Sequence, residues 1–305
     1  MGDVTIIDTK MSGCEGITAA FVVQGETTAL VETGPKSSVE HVLGGLEAAG
    51  IETLHWIVVT HIHLDHAGAA GTLAKHFPEA TVVVHEKGAP HLVDPSKLWA
   101  SASRIYGDAM ESLWGGIDPI PGERITTVAH GEAVDLGGRR LTAVETPGHA
   151  RHHHAFVDSS NGVAFVGDAL GVRLPDVGLN RPATPPPEFD LHDALASIAR
   201  IKELGASSLW LTHFGPADAG ANPKQPAEAC DEAADALREW TGWVASARER
   251  THDLREATAY VRRRSRSVLE DKLDDAAVDR LEHTTSYDMN VSGIMRALDK
   301  AESAG

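Results

Sequence analysis

The chain has 305 residues, of which 42% are apolar, and a formal net charge of −17 from 27 basic and 44 acidic residues. This length suits one large domain or two small ones with a sizeable core, and no apolar run is long enough to span a membrane. The acidic balance argues against a nucleic acid as partner, because phosphate repulsion would have to be overcome. It is typical of a soluble acidic surface, and a salt-adapted source would produce the same balance.

The first residues have no basic start and no apolar segment of the kind that begins a signal peptide. The two cysteines, Cys14 and Cys230, are far apart and lack the spacing of a thiolate metal site. We therefore expect a cytoplasmic protein without disulfides and without membrane attachment.

The first part of the chain alternates between strands and helices. Apolar, β-branched runs predict strands, and amphipathic segments between them predict helices. Repeated alternation of this kind indicates a layered α/β domain. The predicted strands are 4–7, 19–23, 28–32, 56–59 and 81–85, and the predicted helices are 39–49 and 67–77.

The segment directly after strand 56–59 reads T-H-I-H-L-D-H-A-G, from Thr60 to Gly68. Alternation along extended backbone points His61, His63 and Asp65 the same way, and His66 lies near the start of the next helix. Three imidazoles and a carboxylate within six residues predict a metal site rather than a merely polar turn.

Residues 94–121 interrupt this pattern with large apolar side chains at helical spacing, among them Tyr106. Such a stripe is more often core than pocket, but an insertion of this kind is also a candidate lid over a site. We treat Tyr106 as a candidate substrate contact.

Between residues 124 and 213, further polar residues follow directly after predicted strands or loops. Strands and a hairpin are predicted over 124–144, a strand over 162–166, a helix over 191–205 and a strand over 208–211. The residues that follow these elements are His149, Asp168 and His213. A proline-rich loop, 171–187, carries Arg173, a candidate clamp for an anionic group of the substrate. Pairing of the same arginine with one of the many acids is the alternative.

After a linker at 215–226 the composition changes, and helices are predicted over 227–250, 252–272, 274–283 and 291–303. We accordingly predict a catalytic domain over 1–220, with its lid-like insertion at about 94–121, and a helical extension over 221–305. A homodimer through the extension or the lid is an open alternative.

The motif H-x-H-x-D-H after an apolar strand resembles the signature of the metallo-β-lactamase superfamily, with a metal motif set similar to that of glyoxalase II and the lactonases. Further family positions occur in the family's order at Val31-Glu32-Thr33-Gly34, Thr146-Pro147-Gly148-His149, Gly167-Asp168 and Thr212-His213. The resemblance implies a four-layer αββα sandwich, to which this chain adds the C-terminal helices. Glu32 departs from the family, which has aspartate there, and we expect this change to affect the geometry of the loop more than metal binding.

The resemblance also implies a set of seven ligands for two divalent metals. His61, His63 and His149 match the ligands of the first metal, Asp65, His66 and His213 those of the second, and Asp168 the bridging ligand. Nitrogen-rich sites with an open position suit Zn²⁺ and tolerate Mn²⁺ or Fe²⁺.

The same resemblance implies that a metal-bridging hydroxide attacks the substrate, with Asp65 orienting it. His153 matches a histidine that family members carry four positions after the ligand, and we expect it to hydrogen-bond to a ligand rather than to the metal.

Aspartate at the position of Asp168 disfavours a true β-lactamase within the family. We therefore predict a hydrolase that cleaves a small ester, thioester or lactone. The alternatives are a phosphodiesterase, a mononuclear iron dioxygenase of the persulfide type that uses His61, His149 and Asp168, and a regulatory protein with a vestigial site.

Overall fold

The computed structural model describes residues 4–269 and 275–304. The chain divides into two compact units. The first runs to Glu145 and resumes over His152–Gly167, and the second comprises Thr146–Arg151 and the residues from Asp168 onward. This division does not fall at residue 220, and the predicted boundary there stays a prediction.

The strands within the described residues are short, as the spacing of turns in the sequence predicts. They are β1 Val4–Asp8, β2 Ala19–Gln24, β3 Thr28–Val31, β4 Trp56–Val58, β5 Thr81–His85, β6 Ile125–Val128, β7 Ala133–Asp135, β8 Arg140–Glu145, β9 His154–Asp158, β10 Val163–Gly167, β11 Ser208–Leu211 and β12 Gly215–Pro216.

The α-helices range from four to 23 residues. They are α1 Val39–Ala48, α2 Leu64–Ala67, α3 Ala70–His76, α4 Ala89–Val93, α5 Ser96–Tyr106, α6 Met110–Trp114, α7 Leu191–Glu203, α8 Pro226–Arg248, α9 Leu254–Leu269, α10 Asp275–Thr284 and α11 Tyr287–Ala304. The predicted end of a helix at 270–272 and the predicted start of the next at 274 lie outside the described residues.

The first unit contains a sheet in the order β1-β2-β3-β4-β5-β6. The pairs from β1 to β3 are antiparallel, and those from β3 to β6 are parallel. Val58 pairs with both Val31 and Val83, so β4 is central and its apolar sequence is buried. Parallel strands end at the same edge, which therefore carries both the histidine motif after β4 and His85 at the end of β5.

A second set of strands in the first unit, β7 to β10, forms an antiparallel meander. The two sheets of this unit face each other across an apolar layer, in which the rings of Phe21 and Phe165 lie 5.3 Å apart. On the other face of the first sheet, Leu46 of α1 and Leu73 of α3 belong to the same buried cluster as Ile57.

The predicted helix 67–77 corresponds to α3, which begins at Ala70, while Ala67 is the last residue of the separate short helix α2. A Cβ at Gly68, which lies between them, would stand 3.0 Å from the Cα of Pro35, so this backbone packs closely against the 35–38 turn. The motif is therefore held by a short turn of helix rather than by the start of a long one.

The insertion is helical, as predicted, and consists mainly of α5 and α6. Met110 and Trp114 are buried in a cluster with Met11 and Ile17, with Tyr106 packed at its margin. The apolar stripe therefore builds a small core of its own, while Tyr106 remains only partly buried.

The second unit contains β11 and β12, which pair antiparallel, together with helices α7 to α11. Arg181 lies at its centre, with its guanidinium 4.3 Å from the ring centroid of Tyr287 and 2.8 Å from Glu282. The predicted C-terminal helices are thus tied to the loop before α7. Among the described residues, no helix combines the length and the apolar character needed to cross a membrane.

Candidate metal centre

The first unit gathers the histidine motif around His61, which is fully buried. Its Nε2 lies 2.9 Å from Nδ1 of His63, and its Nδ1 lies 3.0 Å from the Thr60 hydroxyl. The ring of His66 stands 4.0 Å from that of His61, centroid to centroid. The sequence prediction that these side chains converge is therefore met within this unit.

His66 lies against Glu32, the residue at which the sequence departs from the family motif. Nδ1 of His66 lies 3.3 Å from Oε2 of Glu32, and both side chains are fully buried. The other carboxylate oxygen of Glu32 accepts the N–H of Thr60 at 3.3 Å. Nε2 of the same His66 ring lies 3.6 Å from Oδ2 of Asp65.

Glu32 adopts φ = 67°, in the left-handed region that non-glycine residues rarely occupy. Strain of this kind persists only where surrounding contacts hold the residue in place. The contacts to Thr60 and His66 are such constraints, and they position a carboxylate behind a candidate ligand.

The second unit holds the other three family positions around Asp168. Its Oδ2 lies 3.4 Å from Nε2 of His149, and its Oδ1 lies 3.5 Å from Nε2 of His213. All three side chains are at least nine-tenths buried. The two oxygens of one carboxylate thus face two different imidazoles, as a ligand shared by two ions requires.

The orientation of His149 follows from its own contacts. Its Nδ1–H donates to the carbonyl oxygen of Ala183 at 2.9 Å, and its Nε2 is directed toward Asp168 at 3.4 Å. The preceding Gly148 has φ = 131°, and a Cβ there would stand 2.3 Å from the backbone of Ala194. Only glycine fits this approach, which sets the turn that presents His149.

These separations fit metal ions. Ligands bound at about 2.0 Å in a tetrahedral site lie about 3.3 Å from one another. The measured separations, 2.9 to 3.6 Å, are close to this value in each unit taken alone. A set of imidazoles and carboxylates also suits Zn²⁺ and similar ions.

Tyr106 lies near one predicted ligand. Burial, and secondarily the Asp65 carboxylate, raise the pKa of its phenol, so Tyr106 stays protonated. A protonated phenol next to Asp65 is able to donate a hydrogen bond to a substrate oxygen, which is consistent with its predicted role as a substrate contact.

Arg173, the other predicted substrate contact, is buried and engaged within the second unit. Its Nη1 lies 2.9 Å from Oε2 of Glu232, and its Nη2 donates to the carbonyl oxygen of Asn222. These contacts correspond to the alternative in which the arginine braces its loop. Its role as an anion clamp stays a prediction.

His153 is buried, with its ring centroid 5.0 Å from that of His61. A Cβ at Gly167 would stand 2.5 Å from its Nε2, so the glycine before Asp168 makes room for this ring. His152, which sequence reasoning did not select, also lies against His61, at 6.1 Å between centroids. The run of three consecutive histidines, 152–154, was the feature of the sequence that could have pointed to His152.

We predict that Glu32→Gln weakens zinc binding on the order of 10–100-fold without unfolding the chain, because it removes the carboxylate that orients His66. A chelator-competition titration measures the affinity, and a thermal scan checks the fold. Glu40→Gln, an exposed acid on α1, is the matched control and should bind zinc like the unaltered chain. Equal zinc affinity in Glu32→Gln and Glu40→Gln would contradict the role assigned to Glu32.

Comparisons with known proteins point to one family. Residues 12–213 match the model of the metallo-beta-lactamase superfamily. The metallo-beta-lactamase fold-containing protein ST1585 of Sulfurisphaera tokodaii is 29% identical over 204 residues, which cover 65% of this chain and 73% of the relative. The crystal structure of ST1585, there assigned to Sulfolobus tokodaii, has a TM-score of 0.68 and 22% identity over 97% of this chain and 99% of that one.

Two further relatives carry functional names. A hydroxyacylglutathione hydrolase of Xanthomonas campestris pv. campestris (strain B100) is 30% identical over 183 residues, 59% of this chain and 55% of the relative. A coenzyme F420H(2) oxidase of Methanothermobacter thermautotrophicus is 29% identical over 181 residues, 57% of this chain and 39% of the relative. The expected α/β fold with added C-terminal helices is confirmed, and the chain belongs to the metallo-β-lactamase superfamily, whose members are mostly metal-dependent hydrolases.

Proposed function

We propose that this protein is a dinuclear metal-dependent hydrolase that cleaves a small ester, thioester or lactone. The observation that carries the proposal is the arrangement at Asp168, whose two oxygens face His149 and His213 separately. A carboxylate placed in this way is able to offer one oxygen to each of two ions.

The ligand assignment follows the family, position by position. His61, His63 and His149 would hold one ion, Asp65, His66 and His213 the other, and Asp168 would bridge them. When bound, two divalent ions supply a nucleophilic water of lowered pKa and polarise the oxygen of the scissile bond. A serine or cysteine nucleophile is then unnecessary, and the buried Cys230, whose pKa burial raises to about 12, is unsuited to that role.

The protein's own residues would orient the metal ligands and the attacking water, and they would transfer protons during the reaction. Glu32 and the Ala183 carbonyl fix the rings of His66 and His149, so that the ligand nitrogens are positioned in advance. Asp65 would orient the attacking water and accept its proton, and the phenol of Tyr106 would donate to the substrate near that carboxylate. Positioning of this kind lowers the barrier because little reorganisation remains at the moment of reaction.

Two observations support the proposed substrate class: the set of histidine and aspartate ligands, and the name of one relative. An acyl group on glutathione is a thioester, and the Xanthomonas relative is named as a hydrolase of such a compound. Esters, thioesters and lactones share a carbonyl that water attacks, so one centre serves all three. Zinc is the ion that the nitrogen-rich donor set favours, with Mn²⁺ or Fe²⁺ as substitutes. Phosphodiester cleavage is the next hydrolytic candidate.

A redox function is the second candidate, because one relative is named as an oxidase. A single iron held by His61, His149 and Asp168 would support an oxygenase instead of a hydrolase. Metal analysis separates these possibilities: at least two equivalents of zinc or a similar ion favour the hydrolase, while one iron and oxygen consumption favour the oxygenase.

We predict that the purified protein holds two equivalents of divalent metal at the family positions, and that Asp168→Ala loses metal and nearly all hydrolase activity together. The substitution removes the carboxylate that offsets the charge between two cations. Elemental analysis and a screen of lactones, acyl thioesters and bis-p-nitrophenyl phosphate measure both effects.

His153→Ala is the matched comparison for Asp168→Ala, since His153 contacts a ligand ring rather than a metal. We expect a loss of activity on the order of 10–100-fold with metal retained. If His153→Ala lost as much metal as Asp168→Ala, His153 would itself be a ligand. If Asp168→Ala kept both metals and its activity, the proposed centre would be wrong.

For Arg173, we predict that Arg173→Lys raises KM for an anionic substrate, leaves metal content intact and spares a neutral lactone. Lysine lacks the planar fork that binds a carboxylate through two hydrogen bonds. If ground state and transition state share the contact, kcat changes little. Arg238→Lys, at an exposed arginine of α8, is the control.

The bracing role of Arg173 gives a different result. Loss of the contacts to Glu232 and Asn222 would loosen the loop for every substrate. Parallel losses on charged and neutral substrates, with a lower thermal midpoint, would rule out the anion clamp.

A further inference from the structure

A second cluster of metal-ligand side chains lies within the first unit, apart from the seven family positions. β5 ends at His85, β8 ends at Glu145, and β9 begins at His154. Glu145 and His154 are direct partners in the β8–β9 ladder. The rings of His85 and His154 stack at 4.6 Å between centroids, and Nε2 of His85 lies 3.8 Å from Oε1 of Glu145.

His154 is the residue that needs an explanation. Its side chain is fully buried, yet neither ring nitrogen has a hydrogen-bond partner among the described residues. Burial lowers its pKa to about 3, so the ring is neutral at ordinary pH and carries an available lone pair. A buried polar group without a partner is costly, and an ion bound there would remove that cost.

We infer that His85, Glu145 and His154 form an additional metal site, suited to Zn²⁺ or a similar divalent ion. One ligand atom from each residue lies within 4.8 Å of the other two, and rotation of the side chains would bring them to the tetrahedral spacing of about 3.3 Å. Two imidazoles and one carboxylate are a donor set that zinc accepts with a fourth position left for water. Glu145 is about half exposed, with a side-chain exposure of 47%, so an ion reaches the site from solvent.

The hydrogen bond between His85 and Lys87 determines which proton must move when a metal binds. Nδ1 of His85 accepts the N–H of Lys87 at 3.0 Å, which places the ring proton on Nε2, toward Glu145. Binding through Nε2 moves that proton to Nδ1 and opens the contact with Lys87. Lys87 lies in an exposed turn, where water replaces the lost hydrogen bond.

The opposing explanation is a simple hydrogen bond from Nε2–H of His85 to Glu145. The distance of 3.8 Å is too long for one. It also leaves His154 unexplained, whereas an ion accounts for both residues.

The site would connect two sheets. β5 belongs to the first sheet of this unit, and β8 and β9 belong to the second. An ion that binds all three strands would fasten the sheets at this edge, so that zinc raises the thermal midpoint of the folded chain. This role is independent of the proposed hydrolase activity.

The test uses the full chain with the family centre disabled by His61→Ala and His213→Ala. We expect this variant to bind one equivalent of zinc, measured by elemental analysis after desalting, and to gain thermal stability on adding zinc. Adding His154→Phe should abolish both effects. His76→Phe, at an exposed histidine of α3, is the control and should change neither.

Glu145→Gln is the second variant, chosen because a half-exposed position tolerates substitution. In the otherwise unaltered chain it should lower zinc content by one equivalent and leave hydrolase turnover unchanged, while Glu123→Gln, an exposed acid, lowers neither. The inference is overturned if the disabled chain folds but binds no zinc, if its zinc survives His154→Phe, or if Glu145→Gln leaves the zinc content as it was.

Discussion

The candidate centre depends on how buried imidazole rings are held. An imidazole serves as a ligand only when one nitrogen has a free lone pair aimed at the ion, and the other nitrogen decides this. Nδ1 is engaged in three of the family histidines: by the Thr60 hydroxyl in His61, by Glu32 in His66 and by the Ala183 carbonyl in His149. In each case Nε2 faces another family position: His63 from His61, Asp65 from His66 and Asp168 from His149.

The backbone supports these contacts at two glycines. At Gly148 a Cβ would meet the backbone of Ala194, and at Gly167 it would meet the ring of His153 and the Thr60 side chain. Both glycines directly precede a predicted ligand, and both have positive φ. The chain therefore turns sharply just before each predicted ligand. The close approach of neighbouring groups at the glycine fixes the direction in which the ligand side chain points.

Most of the candidate ligands could be predicted from the sequence, because strand alternation and the ends of apolar runs are visible in the sequence itself. The motif after β4 follows from alternation along a strand, and His149, Asp168 and His213 were found because each follows an apolar run and matches a family position.

The contact between Glu32 and His66 could not be predicted from the sequence, since the two residues lie 34 positions apart and only the folded chain brings them together. The partner of Arg173, Glu232, lies in a helix 59 residues further on and was equally hidden. His85 and His154 come from strands of different sheets, so only the packing of those sheets brings them together. The helix predicted over 67–77 begins later, at Ala70, because the chain first forms the separate helical turn α2 within the histidine motif, which periodicity does not report.

The central claim is that the seven family residues hold two metals that share Asp168. X-ray absorption fine structure at the zinc edge, on the Glu145→Gln variant loaded with two equivalents, measures this directly, because that variant lacks the separate site at His85 and His154. The account predicts nitrogen and oxygen neighbours at about 2.0–2.1 Å and a metal–metal distance of about 3.5–4 Å. Zinc bound with no metal neighbour within that range, in a protein that hydrolyses its substrate at full rate, would contradict it.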